Sequence, residues 1–307
     1  MGILHTFTKS RLTLNEIVKI ENMFYNCLSY HTMIFRLHRP VFPLKDFIES
    51  LVYFEGMSPS HALDRFLPDG NTELIISLSD EPQYIHDNAS LRVVQSCHRS
   101  WVSGVRTQPI TIPSGRGSRM LVVAFRKGAA HPFYPFPMNE IMDTVVNADL
   151  VFGRGILSLR EQLLEAPSVD AMFFLVEHFL LKQAGDRLHR GSISRCVEFS
   201  IDFLAGGLYE ARLRDLAGQV GYSQKHFIGL FKRQVGVTPK QYLRILRFQL
   251  AVQGLEAASS LDWSRFALQN GFYDQAHFIN DFRGFSGFSP VEYLHLKTGM
   301  LNYVPVM

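Results

Sequence analysis

Cysteine is scarce in this 307-residue chain: Cys27, Cys97 and Cys196 stand far apart and no CxxC pair occurs. That spacing speaks against a disulfide framework or a cysteine zinc site and fits reduced thiols, hence a cytoplasmic location. Long apolar runs are missing too. No stretch reaches the eighteen residues that a membrane helix needs. Residues 1–32 hold no basic cluster followed by an apolar core, so no secretory signal is read there and they count as an extension. In the first half, His38, His61, His86, His98 and His131 form no HxH or HxxH pair, so neither a metal nor a cofactor is expected. "PSGRGS" lacks the Lys-Ser/Thr of a phosphate loop and reads as a turn. No Ser/His/Asp or Cys/His motif is present, so no catalytic residue is nominated and the chain is not expected to be an enzyme.

One further absence is local. Between Asp215 and Glu256 there is no acidic residue, while Lys225, Lys232, Arg233, Lys240, Arg244 and Arg247 all fall in that window. The whole chain carries a net charge of +3, but residues 190–307 hold 13 lysines and arginines against nine acids. A polyanion meets little repulsion there.

What is present changes character along the chain. From Met33, short apolar runs alternate with turn signals such as Pro68-Asp69-Gly70 and Gly115-Arg116-Gly117. "ELIISL", "LRVVQSC", "SWVSGV" and "SRMLVVAF" read as strands, so residues 33–138 are expected to form a small antiparallel barrel or sandwich. The proline-dense "HPFYPFP" marks a boundary. From there to residue 190 the apolar spacing is three and four, which predicts a helical connector with "NEIMDTVVNADLVFG" as its first helix. The fold class expected is α+β: a β-rich, barrel-like first unit, then helices.

The last third writes one unit twice. "GYSQKHFIGLFKRQVGVTP" (221–239) and "GFYDQAHFINDFRGFSGFSP" (271–290) match in chemistry: Phe227 with Phe278, Phe231 with Phe282, Gly236 with Gly287, Pro239 with Pro290. Each copy reads as helix, turn, helix. Gly221 and Gly271 stand where a left-handed residue lets the chain leave the first helix, and Ser223 and Asp274 cap the second. Phe227, Leu230 and Phe231 share one stripe, as do Phe278, Phe282 and Phe285. The opposite faces carry Lys225, Gly229 and Lys232 with Ile228 beside them, and Ala276, Asn280 and Arg283 with Ile279 beside them. An anchored helix with a basic, hydrogen-bonding outer face suits a major groove. "TPKQYLRILRFQLAVQGLE" is then a rigid spacer, with Thr238 as cap and Pro239 at the first helical position.

Through "LAGQVGYS", "LFKRQVGVTPKQYLRILR", "ALQNGF" and "DQAHFINDFRGFSGFSPVEY", residues 191–299 resemble the double helix-turn-helix domain of the AraC/XylS family of bacterial transcription regulators. "RFLPDGNTELIISL" and "RTQPITIPSGRGSRMLVVAFRKGAAHPF" are similar to regulators of that kind with a cupin-like N-terminal domain. The resemblance implies double-stranded DNA as partner and RNA polymerase as a second. It implies a first unit that senses a small-molecule effector or forms a homodimer. The DNA-facing residues expected are Gln224, Lys225, Ile228, Gly229, Lys232 and Arg233 in the first copy, and Gln275, Ala276, Ile279, Asn280 and Arg283 in the second. Gly229 departs from the polar residue common at that place. His226 and His277 are read as helping the caps as much as touching phosphate, and Arg244 and Arg247 as open between phosphate contact and a solvated helix. Residues 190–307 are expected to bind DNA alone, as a monomer. A barrel enzyme or DNA-repair protein with a DNA-binding appendage is the competing reading, and an effector-free architectural protein a third.

Overall fold

The computed structural model describes residues 33–188, 195–206, 216, 218–257 and 261–306. The extension at 1–32 lies outside them, as do Leu213, Arg214, Asp215 and Ala217 of the first repeat.

Short runs of β-branched and aromatic residues, separated by turn residues, form two antiparallel sheets. The first orders six strands as β1 (Ile34–His38), β2 (Ile48–Glu55), β9 (Arg119–Phe125), β4 (Glu73–Ser77), β7 (Ser100–Ser103) and β10 (Val145–Asn147). The second orders β11 (Tyr303–Pro305), β3 (Leu63–Phe66), β8 (Ile110–Pro113), β5 (Gln83–His86) and β6 (Val93–Cys97). The β-rich first unit is therefore as expected, built as two sheets that stay open. Central β4 is flanked on both sides, with Ile75 facing Val122 and Trp101.

The stretch expected as one helix at 139–153 is not one. Met138–Ile141 is a 3-10 turn, Val145–Asn147 pairs with β7, and only α1 (Ala148–Phe152) is helical. The β-branched Thr144-Val145-Val146 run finds a waiting sheet edge, and tertiary pairing overrides the helical spacing. The first sheet thus extends past the boundary expected at 138. Helices α2 (Arg154–Glu165) and α3 (Val169–Ala184) then cover it. Leu51, Leu74, Ile76, Val102, Leu121 and Phe125 meet Phe152, Ile156, Leu163, Phe173 and Val176 in one core. Arg160 pins α2 to the sheet by donating to the Ser77 and Ser79 carbonyls and to Asp80.

The C-terminal part comprises α4 (Arg195–Ala205), α5 (Gln224–Val235), α6 (Pro239–Ala257), α7 (Trp263–Gln269), α8 (Gln275–Ser286) and α9 (Pro290–Leu296). A second core joins Phe227, Phe231, Tyr242, Ile245, Phe248, Phe278 and Phe282. It does not stop at the helices: Leu67, Val105 and Val304 belong to it. The chain ends by returning β11 to β3, pairing Val304 with Arg65. No helix among the described residues is long and apolar enough to cross a membrane.

Candidate nucleic-acid interface

Helix α5 starts where the sequence says it should. Gly221 takes φ +75°, and the Ser223 hydroxyl then accepts the His226 amide proton at 3.4 Å. Gly271 repeats that geometry at φ +76°, and Asp274 accepts from His277 at 2.7 Å to open α8. Each carboxylate or hydroxyl satisfies an amide that no helical carbonyl can reach. Left-handed Gly236 and Gly287 end the two helices. Between them, α6 opens on a reciprocal cap: Thr238 Oγ1 accepts from the Gln241 amide, and the Gln241 side chain accepts from the Thr238 amide.

The two helices bury equivalent faces. Phe227 and Phe231 of α5, and Phe278, Phe282 and Phe285 of α8, are sealed in the second core. The faces left outside are the ones the spacing picked out. Gln224, Lys225, Gly229, Lys232 and Arg233 are exposed on α5, with Ile228 half-covered at the edge. On α8, Ala276, Asn280 and Arg283 are exposed, with Ile279 again half-covered. Gln275 is tied back, accepting from the Ser264 hydroxyl at 3.2 Å. Among the described residues, Lys225, Lys232, Arg233 and Asn280 make no side-chain hydrogen bond or ion pair.

Two arginines left open by the sequence have structural partners. Arg244 of α6 grips Asp281 of α8 through two nitrogens, at 2.8 and 3.3 Å, and lies over the Phe285 ring. Arg247 donates to the Gly271 carbonyl at 3.0 Å and stacks on Phe272. The histidines support the turns: His226 stacks on Tyr222, and His277 accepts from the Tyr273 amide.

Two residues went unmarked in the sequence. Tyr222 and Tyr273 occupy equivalent places just before the two caps, and Tyr273 is 85% exposed. A phenol held at the mouth of a helix offers a hydroxyl to whatever the helix meets. Aligning the two copies at their caps is the signal that could have found them.

Gly229 lies on the outer face of α5, as Gly284 lies on α8. It sits mid-helix, where glycine costs roughly 1 kcal/mol against alanine. A Cβ built there meets nothing within 4 Å. Around it lies a shallow concavity of about 390 Å³, lined by Ser223, Lys225, His226, Gly229, Leu230 and Arg233.

Known proteins match on the same ground. Residues 216–295 fit a family model described as a helix-turn-helix domain, and residues 36–147 one described as a domain of unknown function. The chain is 27% identical over 123 residues to the melibiose operon regulatory protein of Escherichia coli, covering 38% of this chain and 40% of that one. It is 38% identical over 79 residues to the probable transcriptional regulator LumQ of Photobacterium leiognathi, covering 26% of this chain and 32% of that one. It thus spans less than half the length of these curated relatives. Solved structures similar to it include ToxT from Vibrio cholerae, with TM-score 0.41 and 13% identity over 76% of this chain and 93% of that one. Another is an AraC-type regulator from Chromobacterium violaceum, with TM-score 0.31 and 25% identity over 33% of this chain and 90% of that one. The paired, capped helices with open polar faces make residues 216–295 a helix-turn-helix domain. The chain is similar to proteins named as regulators.

Proposed function

We propose that the chain is a sequence-specific DNA-binding transcription regulator acting in the cytosol, with α5 and α8 each entering one of two successive major grooves. The observation that carries this is the pair of equivalent outward faces, each backed by a sealed aromatic stripe and presenting unengaged polar or basic side chains. Gln224, Lys225, Ile228, Gly229, Lys232 and Arg233 face DNA from α5, and Gln275, Ala276, Ile279, Asn280 and Arg283 from α8. Tyr222 and Tyr273 stand beside the flanking phosphates. The spacer supports it: the 19 residues of α6 span roughly 28 Å at about 1.5 Å each. With the flanking turns, that is commensurate with the roughly 34 Å of one DNA turn. The melibiose regulator and LumQ are named as regulators, which supports the same class over a competing enzyme reading. The β-rich unit is the module for sensing or self-association, and RNA polymerase the partner through which binding acts.

The test is selection of duplexes from a random pool by the full chain. The reading expects a bipartite consensus with its halves about ten base pairs apart. Recovery of no consensus would overturn it.

A further inference from the structure

The concavity beside Gly229 opens on the exposed face of α5. Lys225 and Arg233 lie one turn to either side of the glycine, so three residues at i, i+4 and i+8 share its flank. His226 and Leu230 close the other side. The rim is therefore cationic, the floor is bare helix, and no acid lies between Asp215 and Glu256 in the sequence. Packing gives no reason for the glycine, because the place of its missing side chain is empty. Its helix end does not call for it either, since Gly236 already supplies the left-handed stop. Gly284 of α8 is likewise exposed with an empty Cβ position, so what sets Gly229 apart is the cationic rim that Lys225 and Arg233 place around it.

We propose that this concavity seats one backbone phosphate of the DNA duplex, and that the absent side chain at 229 lets that phosphate come against the helix between Lys225 and Arg233. The proposal rests on the DNA-binding reading above and adds a contact to it. The seat is sequence-independent: it fixes the depth and register of α5 in its groove, leaving base readout to the neighbouring face. It also accounts for a bare position where a reading side chain is expected, because a long residue at 229 would hold the backbone off.

Gly229→Ala in the full chain separates the two sides of the argument. Helix propensity predicts a rise in Tm of about 2 °C. The seat predicts that affinity falls nonetheless, by the same factor of roughly three to ten for selected and random duplexes, with the log–log salt slope flattened by about 0.9. Single methylphosphonate substitutions along the selected site localise it. The unsubstituted protein loses affinity at one position facing α5, and Gly229→Ala no longer responds there. Gly155→Ala, in α2 and remote from the interface, controls for stability alone and leaves binding unchanged. Unaltered or tighter DNA binding by Gly229→Ala overturns the seat. So does loss at the selected sequence alone with an unchanged slope, which would mean a base edge fills the concavity. Failure of the unsubstituted chain to bind any duplex would instead sink the DNA-binding reading itself, and the seat with it.

Discussion

Lys225 and Lys232 project from α5 into a segment without acids, whereas α8 carries Asp281 and follows Asp274. Residues 190–255 hold ten lysines and arginines against four acids, and residues 256–307 three against five. Each phosphate neutralised releases counterions, so the first unit should supply most of the salt-dependent affinity. Lys225→Ala with Lys232→Ala should weaken binding to all sequences and flatten the salt slope by up to about two units. Asn280 has little charge around it but an amide able to pair with adenine. Asn280→Ala should cost on the order of 1–3 kcal/mol at its own half-site and relax the base preference there. Affinities for matched and altered sites, measured between 50 and 200 mM salt (roughly the range where the effect is large), separate the two. An unchanged slope for the lysine pair, or equal losses at all sites for Asn280→Ala, would break this division.

Among the elements, the placement of α8 against α6 depends on a side-chain pair that no local pattern announces. Arg244 reaches Asp281 across 37 residues and holds α8 to α6. Arg244→Ala should lower stability by about 1 kcal/mol, since the pair is bidentate but part-exposed. It should also loosen the second half-site while leaving the salt slope intact; thermal unfolding and salt titration check both, and a flattened slope would restore Arg244 to the phosphate contacts. Local chemistry made other features of this region legible beforehand. The turns at Gly221 and Gly271, the caps at Ser223, Asp274 and Thr238, and the outer faces of α5 and α8 follow from residues within one or two turns of each other. Where a partner lay far off, the sequence misled or fell silent. The apolar spacing of residues 139–153 fitted a helix until β7, 42 residues upstream in the pairing of Val145 with Ser103, took the β-branched run. Strand β11 is three residues long, too short for an alternation to show.

Taken whole, the molecule does not divide cleanly at the connector. Gln249 of α6, fully inside, donates to the Pro68 carbonyl at 2.7 Å and to the Asn302 side chain at 2.8 Å. Leu67 of the same Leu-Pro-Asp-Gly turn sits in the helical core, and β11 extends the β-rich unit's second sheet. The expectation that residues 190–307 work alone is therefore revised. The excised fragment leaves Ile245, Phe248 and Val304 without part of their packing, and should unfold at lower temperature than the full chain and bind DNA more weakly. Equal Tm and affinity for the two would show the shared core to be dispensable. The same seam carries a titratable device. Burial first, and then the neighbouring Asp69 carboxylate, push the Glu73 carboxyl up from 4.5 to about 8. Asp69 is itself raised by burial, with Lys127 opposing, and the Tyr303 phenol of β11 lies within reach of both acids. Between about pH 5 and 8 the folded state keeps a proton that the unfolded state has released. Stability should therefore fall as pH rises through that window, by at most about 1.4 kcal/mol per unit. Glu73→Gln should flatten the dependence in chemical denaturation. A parallel curve for the variant would remove Glu73 as its source.

The central claim, two reading helices held one DNA turn apart by α6, is tested most directly by a hydroxyl-radical and base-methylation footprint of the full chain on its selected site. The account predicts two protected major-groove patches on one face of the duplex, centred about ten base pairs apart, with the patch beside the Lys225 half fading first as salt rises. A single patch, or two patches on opposite faces, would contradict it.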